Sequence, residues 1–447
     1  MKKIRIFKNP AALLLALLLL GLAACRTAPD PAPSSQSSPD PAERPTVTVC
    51  MDLDVGAEDT YSSSSLLNDV IEDYAPEFKE SYKLEIDSLP GSGPNREPAL
   101  DHVRIELMSG GGADLYLCDT PGTDSYYKDR RQIGLFQYPK ALMKRRMFLS
   151  LDDYIKNAKY MEWDKLYPEI MEAGKNEDGQ QILPLGWSMN FTHFDTESYT
   201  PTVDLPMTFD EMLQSDDPGV IYAANTVFFP DSLGAVADYD NDKPAFTEEE
   251  LHNHLEGLIK NQDRRTAELF ESLGRPKPAW FSRTNSSNFT QYDPDSTIIP
   301  TYNRDGGATA FVTSFGAVNI NSKQPEAAFQ ILDLLLSKDV QKDSELLTYD
   351  YGAPVHMDLL KSNKRERVLA PFDLPDGAHK ERWGLNDHNY DQLQALIKQI
   401  TVVDFPTPVH HELQELWLPY QQAQTQEERE KLVHDAYRTI TMMLAES

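Results

Sequence analysis

The stretch that decides the fold is Met108-Ser109-Gly110-Gly111-Gly112, followed directly by Ala113-Asp114-Leu115-Tyr116-Leu117-Cys118. A run of glycines ends a helix, and the preceding Leu100, Val103 and Leu107 recur at helical spacing. The short apolar run after the glycines is typical of a buried strand. This stretch therefore predicts a helix that stops at the glycines and leads into a strand.

Two further strands and one helix precede this stretch. Thr46 to Met51 is rich in β-branched residues and predicts a buried strand, and Tyr82 to Leu89 predicts a second one. Between them, Leu67, Val70 and Ile71 fall on one face of a predicted helix. The order strand, helix, strand, helix, strand implies right-handed crossovers and a parallel sheet.

Polar residues follow the first and third predicted strands. Asp52 to Asp54 come after the first strand, and Asp119 and Thr120 come after the third. Open parallel sheets bind ligands beyond the carboxyl ends of their strands. We therefore expect Asp52, Asp119 and Thr120 to lie together at the edge of a cleft, either as ligand contacts or as helix and turn caps.

A second strand and helix pair lies late in the chain. Thr313 to Ile320 predicts a strand, and Pro325 begins a helix whose apolar stripe includes Ile331 and Leu335. The interval from Ser188 to Pro300 is long enough for another compact lobe. An interrupted arrangement of this kind predicts two lobes with several chain crossings, made of residues 46–187 with 313–350 and of residues 188–312 with 351–447.

The beginning of the chain has the pattern of a bacterial lipoprotein signal peptide over residues 1–24. Four cations lead into the apolar run Ala11 to Leu20, and Leu22-Ala23-Ala24-Cys25 follows. An uncleaved membrane anchor is the alternative. We expect a lipidated Cys25 that holds the chain on the outer face of the cytoplasmic membrane, at the cell surface or in the periplasm.

Residues 25–45 contain repeated prolines among Ser, Ala and Asp, with no aliphatic side chain larger than Ala. This composition predicts a disordered or polyproline-like tether. A tether keeps a folded domain close to the membrane while leaving it free to search the surrounding volume.

Charge and cysteine content restrict the possible functions. The chain has 42 Lys and Arg against 71 Asp and Glu, for a net charge of -29. This charge disfavours binding to nucleic acid and direct docking on anionic lipid. The acidity is at most a weak indication of a cationic ligand. Cys50 and Cys118 both lie in apolar, strand-like runs, and we expect two buried free thiols in preference to a disulfide.

Six short segments, in this order, resemble the extracellular solute-binding proteins of ABC importers, in particular the carbohydrate-binding group that includes maltose-binding protein. Together they extend from Met108 to Val355, and the resemblance as a whole covers residues 47–446. The segments are Met108 to Tyr116, Phe148 to Ile155, Ile182 to Trp187, Met207 to Met212, Val318 to Gln341 and Gly352 to Val355.

The resemblance implies a two-lobed α/β fold of the type II periplasmic-binding-protein kind. Each lobe would be a mainly parallel sheet flanked by helices, and the lobes would close over a ligand by a hinge motion. The implied function is a monomeric receptor without cofactor or catalysis, which captures a small solute, preferably a carbohydrate, and delivers it to an ABC permease. Asn190 to Tyr199 and Asn285 to Asp295 depart from the family pattern, so the surface that faces the ligand is expected to differ.

Sugars are bound by aromatic rings that stack on their C–H faces and by polar side chains that bond their hydroxyls. Each candidate lies at a predicted crossing or in the inserted lobe. The alternative for each aromatic candidate is an ordinary core residue. They are Trp187, Asn190, Trp280, Tyr302, Phe315 and Tyr351.

Other kinds of site receive less support. His410-His411-Glu412 with His388 lacks the spacing of a helical metal-ligand pair. The sequence has no Gly-x-Ser-x-Gly elbow and no glycine-rich phosphate loop. Three alternatives stay open: a receptor for a peptide, polyamine or other solute, a surface lipoprotein enzyme that acts on glycans, and a sensor that reports occupancy to a membrane kinase.

Overall fold

The computed structural model describes most of the chain in eleven stretches: residues 44–53, 63–120, 134–195, 202–225, 229–264, 282–285, 296–343, 352–362, 369–373, 379–382 and 387–447. The predicted signal peptide, Cys25 and the tether as far as residue 43 lie outside these stretches, as do Asp54, Trp280 and Tyr351. None of the helices in the described stretches is both long enough and apolar enough to cross a membrane.

The strands of the described residues include two long ones, β6 and β11. In chain order they are β1 (Thr46–Asp52), β2 (Lys83–Ser88), β3 (Leu115–Asp119), β4 (Lys175–Asn176), β5 (Gly179–Gln180), β6 (Ile182–Asp195), β7 (Ala237–Asp238), β8 (Lys243–Pro244), β9 (Ser282–Asn285), β10 (Ser296–Pro300), β11 (Ala308–Val318), β12 (Ala353–Pro354), β13 (Leu369–Asp373), β14 (His379–Arg382) and β15 (Ile400–Asp404).

The helices range from single turns to the long last one. They are α1 (Ser63–Tyr74), α2 (Glu77–Ser81), α3 (Arg96–Met108), α4 (Pro139–Lys144), α5 (Asp152–Ile155), α6 (Pro168–Met171), α7 (Phe209–Gln214), α8 (Pro218–Asn225), α9 (Phe229–Leu233), α10 (Glu248–Arg264), α11 (Pro325–Leu335), α12 (Lys338–Asp343), α13 (Met357–Ser362), α14 (Asp387–Ile397), α15 (Pro408–Gln422) and α16 (Gln426–Glu446). Two 3₁₀ turns cover Trp163–Lys165 and Glu172–Gly174.

The predicted opening of the fold is confirmed. β1 pairs in parallel with β2 on one side and with β3 on the other. α3 ends at Met108, where the N–H of Gly111 donates to the carbonyl of Glu106 at 2.9 Å. Gly110 and Gly112 have φ angles of +85° and +92°, which side chains disfavour, and this explains why glycine ends the helix here.

The main sheet runs in the order β10, β6, β11, β3, β1, β2. Parallel pairing occurs between β1 and its neighbours and between β11 and β15, whereas β6 and β11 pair antiparallel with each other. The first half of β6 lies on β11, and its second half pairs with β9 and β10. These two strands therefore run from the part of the sheet that contains β1, β2 and β3 into the part that contains β9, β10 and β15. Each strand is itself the connection, and no helix is needed to make it.

Three hydrophobic cores surround this sheet within one compact unit, Arg44–Ser447. Alternate residues of β1 enter different cores, because Val49 faces the first core and Cys50 faces the third. The second core lies between α7, α8, α10, α15 and α16. α14 contributes Leu393 and Ile397 to the first core, so the late helical region packs against the early strands as well.

Cys50 and Cys118 are free and buried, as expected from their strand-like surroundings. Burial raises the pKa of the Cys50 thiol, and the nearby carboxylates of Asp87 and Asp52 raise it further. The thiol is therefore held in its neutral, unreactive form.

The carboxylate of Asp114, just before β3, connects its own segment with β1 and with the segment before α11. One oxygen accepts hydrogen bonds from the N–H and hydroxyl of Thr48 in β1, at 2.9 and 2.8 Å. The other accepts from the hydroxyl of Ser322 at 2.7 Å and the N–H of Lys323 at 2.9 Å, just before α11. Burial raises the pKa of this carboxyl, but the hydrogen bonds outweigh it and hold the pKa below its ordinary value.

Replacing Asp114 with Asn removes the charge and one set of acceptor bonds, so we expect the free energy of unfolding to fall by about 2 kcal/mol at neutral pH. Because the native pKa is lowered, this difference is present above the ordinary carboxyl pKa and shrinks as the pH falls below it. Urea unfolding of both proteins across this range measures the effect. Asp153→Asn, at a carboxylate that is 90% exposed, is the control; equal losses in the two variants would contradict the role given to Asp114.

Candidate functional site

The carboxyl ends of β1 and β3 lie side by side, because Asp52 is the register partner of Cys118. Asp52 is buried, and its oxygens accept from the two terminal nitrogens of Arg96 at 2.8 and 3.1 Å and from the N–H of Leu135 at 2.8 Å. The carboxylate thus fixes α3 and the segment before α4 to the end of β1. It forms a buried ion pair in place of the cap that the sequence offered as the alternative.

Asp119 and Thr120 connect the same edge to the crossing strand β11. Asp119 is buried and lies opposite Ser314. The Thr120 hydroxyl donates to the carbonyl of Val312 at 2.7 Å, and its N–H donates to the carbonyl of Thr313 at 2.9 Å. The structure therefore brings Asp52, Asp119 and Thr120 to one edge, and their contact with a ligand stays a prediction.

Trp187 lies where three chain segments meet. Its side chain has no exposed surface, and its indole N–H donates to the carbonyl of Pro354 at 3.1 Å. Gly352 passes so close that a Cβ there would lie 2.7 Å from the backbone nitrogen of Trp187 and 2.2 Å from the Thr313 hydroxyl oxygen. Trp187 thus pairs through its backbone with Val312 of β11 and Ala353 of β12, and its indole adds a hydrogen bond to β12.

The structure places the three described aromatic candidates in three different cores. Trp187 belongs to the first core, Tyr302 to the second and Phe315 to the third. Tyr302 is fully buried and its hydroxyl donates to the side-chain oxygen of Gln399 at 3.0 Å, while Phe315 packs edge-on against Phe405. These three rings do not form one surface. Trp280 and Tyr351 lie outside the described residues.

Asn190, like Thr120, is a described candidate with a partly exposed side chain and a polar partner. It lies on the face of β6 opposite to Trp187 and Met189, and its amide donates to the carboxylate of Asp231 at 2.7 Å. Asp231 comes from α9 and was not predicted from the sequence, since nothing in that segment distinguishes it from a surface carboxylate. The Asp231 carboxylate is buried and holds the amide in place, so the partly exposed Asn190 is the member of the pair suited to bonding a ligand hydroxyl.

A Ser–His pair lies behind Asp231, but its geometry opposes nucleophilic catalysis. The Ser232 hydroxyl lies 2.8 Å from Nε2 of His254 and donates its proton to the carbonyl of Phe229 at 2.7 Å. Which of the two groups donates across this contact depends on the His254 tautomer, and burial of both side chains keeps the hydroxyl away from a substrate. Burial and the charge of Arg304 lower the pKa of His254 to about 3, which keeps the imidazole neutral.

His410 has a structural role at the start of α15. Its ring is buried, and Nδ1 accepts from the N–H of Thr407 at 3.2 Å. Burial lowers the pKa of this imidazole to about 4. The side chain of His388 lies outside the described part of the chain, and within that part no group of three His, Cys, Asp or Glu residues could hold a metal ion.

Two lysines of helix α4 form contacts with residues that lie much later in the chain. The ammonium of Lys140 lies 3.0 Å from the carboxylate of Asp404, which is buried, and Lys144 reaches the carbonyl of Tyr239 at 2.7 Å and the carboxylate of Asp242 at 2.9 Å. The segment before α4 is fixed to β1 through Asp52. Electrostatic contacts therefore join α4 to residues 239–242 and to Asp404, beside the edge that contains the candidate residues.

Replacing Lys140 with Met leaves the Asp404 carboxylate buried without its cation, so we expect the free energy of unfolding to fall by about 3 kcal/mol. The matched change Lys144→Met removes a cation whose carboxylate partner is 51% exposed, and it should cost less than about 1 kcal/mol. Chemical denaturation of the three proteins gives the comparison. A larger loss for Lys144→Met than for Lys140→Met would contradict this assignment.

No protein-family model matches the sequence, and a search of the curated proteins gives no match. Solved structures do match. An extracellular solute-binding protein family 1 from Alicyclobacillus acidocaldarius subsp. acidocaldarius DSM 446 is 13% identical with a TM-score of 0.55, covering 90% of this chain and 98% of that chain. The sugar-binding protein MalE from Xanthomonas citri is 11% identical with a TM-score of 0.55, over the same shares of the two chains.

A periplasmic oligogalacturonide binding protein from Yersinia enterocolitica is 10% identical with a TM-score of 0.52, covering 89% of this chain and all of that chain. A designed cysteine esterase is also among the matching structures, so the fold alone does not exclude catalysis. The fold predicted from the resemblance is confirmed: this chain has the two-lobed α/β fold found in extracellular solute-binding proteins.

Proposed function

We propose that this chain is an extracytoplasmic receptor that captures a small solute, preferably a carbohydrate, between two lobes. The observation that carries the proposal is the fold. About nine-tenths of this chain matches the structure of a sugar-binding protein, the MalE of Xanthomonas citri. The proposed lobes are residues 46–187 with 313–350 and residues 188–312 with 351–447. They are joined where Trp187, Val312 and Ala353 pair.

The proposed ligand surface combines the edge at Asp119 and Thr120 with the face of β6 that carries Asn190. Asn190 supplies an amide at this face, held by the buried carboxylate of Asp231. Such groups bond the hydroxyls of a sugar, and aromatic stacking would then come from Trp280 or Tyr351. Trp187 is a poorer candidate than the sequence indicated, because its ring is fully buried in the first core.

We further propose that a lipid on Cys25 anchors the receptor to the outer face of the membrane and that the loaded receptor delivers its solute to an ABC permease. The support is the sequence Leu22-Ala23-Ala24-Cys25 and the proline-rich tether that follows it. Two acyl chains on one cysteine would give stable anchoring. The receptor itself would carry out no covalent chemistry.

The proposal is tested by thermal unfolding of the full chain in the presence of monosaccharides, oligosaccharides, peptides and polyamines. A solute that binds the folded state alone raises the melting temperature by mass action. We expect a rise with one class of sugar and no product when that sugar is incubated with the protein. A rise with peptides or polyamines alone would overturn the sugar assignment, and turnover of an oligosaccharide would support the enzyme alternative.

Asn190→Ala tests the position of the ligand surface. Loss of one hydrogen bond to a sugar hydroxyl should weaken binding by about 1 kcal/mol, roughly fivefold. Asn157→Ala, at an exposed amide that donates to the carbonyl of Asp153 in α5, is the matched control. Isothermal titration with the sugar identified above gives both affinities, and unchanged affinity in Asn190→Ala would remove this face of β6 from the proposal.

A further inference from the structure

A separate cavity of about 560 Å³ opens on the other side of the crossing region. Its walls come from the start of α5, the turn Trp163–Lys165, α6, Met357 of α13 and the end of α14. This volume lies in the range that holds small organic ligands. The cavity is distinct from the proposed sugar surface, because it adjoins the face of β6 that carries Trp187, whereas Asn190 lies on the opposite face.

The floor of the cavity is aromatic and held in place. Tyr167 is buried, and its ring meets the ring of Trp187 edge-on at 5.7 Å between centroids. The side-chain amide of Gln394 donates to the Tyr167 hydroxyl at 2.9 Å, and the Tyr167 N–H donates to the carbonyl of Val355 at 3.0 Å. Trp163 forms a half-buried side wall. A flat apolar group could therefore contact the partly exposed ring of Trp163, while the buried ring of Tyr167 supports the floor from behind.

The charge around this cavity is negative. Its lining includes the four carboxylates Asp152, Asp164, Glu169 and Glu172 and the two ammonium groups Lys175 and Lys398, which gives a formal charge of -2. Lys175 lies 3.5 Å from Glu172, so part of this positive charge is already matched. Aromatic faces beside carboxylates attract organic cations through cation–π and Coulomb interactions.

We propose that this cavity binds a small organic cation with an aromatic or alkyl body, such as an aromatic quaternary ammonium. Trp163 contacts the apolar body, above the floor that Tyr167 supports. Asp164 and Glu169 face the positive charge. The site is separate from the proposed carbohydrate surface and carries its own specificity.

The test uses the full chain and the probe benzyltrimethylammonium, with benzyl alcohol as the neutral analogue and phenylacetate as the anionic one. Calorimetric titration and saturation-transfer NMR measure binding. We expect saturable binding of the cation that weakens as ionic strength rises, and weaker binding of both analogues. Equal or tighter binding of either analogue, or no saturable binding of the cation, would overturn the proposal.

Variants locate the bound cation. The double change Asp164→Asn with Glu169→Gln should weaken binding of the probe roughly tenfold, since two carboxylates near one cation are lost. Trp163→Leu should weaken it by a similar factor through loss of the ring. Asp69→Asn with Asp435→Asn makes the same charge change at exposed positions outside the cavity and should leave the affinity unchanged.

Unfolding curves that coincide with the parent protein show that the variants are folded. Equal affinity in the cavity and control double variants would place the probe elsewhere and contradict the assignment. Asn190→Ala should leave binding of the cation unchanged, so failure of the carbohydrate proposal and failure of this one give different results.

Discussion

The pairing of β6 with β11 is the interaction on which the rest of the structure depends. Their register joins Ile182 to Ala317 at one end and Trp187 to Val312 at the other. Beyond this overlap β6 continues beside β9 and β10, while the first half of β11 lies beside β15. Each strand therefore contributes to both halves of the fold. The close approach of Gly352 to Trp187 leaves no room for a side chain, so the third crossing is fitted to the first two.

The two faces of β6 have different surroundings, and this separates the two proposed sites. On one face, Trp187 supports Tyr167 and the aromatic floor of the acidic cavity. On the other, Asn190 meets Asp231 beside polar and partly exposed groups. Because successive side chains of a strand point to opposite faces, residues three positions apart serve different surfaces. The same short stretch of sequence can therefore support a carbohydrate surface on one face and a cation site on the other.

The parts of the fold that could be predicted from the sequence are those fixed by local patterns. The strand β1, the glycine stop after α3 and the proline start of α11 each depend on a few neighbouring residues, and the structure confirms them. The antiparallel pairing of β6 and β11 could not be predicted in this way, because it joins segments more than a hundred residues apart. The ion pair of Asp52 with Arg96 has the same origin, since no local pattern links the two residues.

The candidate site was harder to predict because a residue's type does not tell which way it points. Trp187, Tyr302 and Phe315 had suitable positions along the chain, yet each is packed in a different core. Asp231, by contrast, gave no signal. In the proposed receptor, two lobes joined by β6 and β11 close over a solute. Small-angle scattering of the full chain, with and without a saturating sugar, measures this closure: we expect a smaller radius of gyration with sugar bound, and an unchanged radius at full occupancy would rule the closure out.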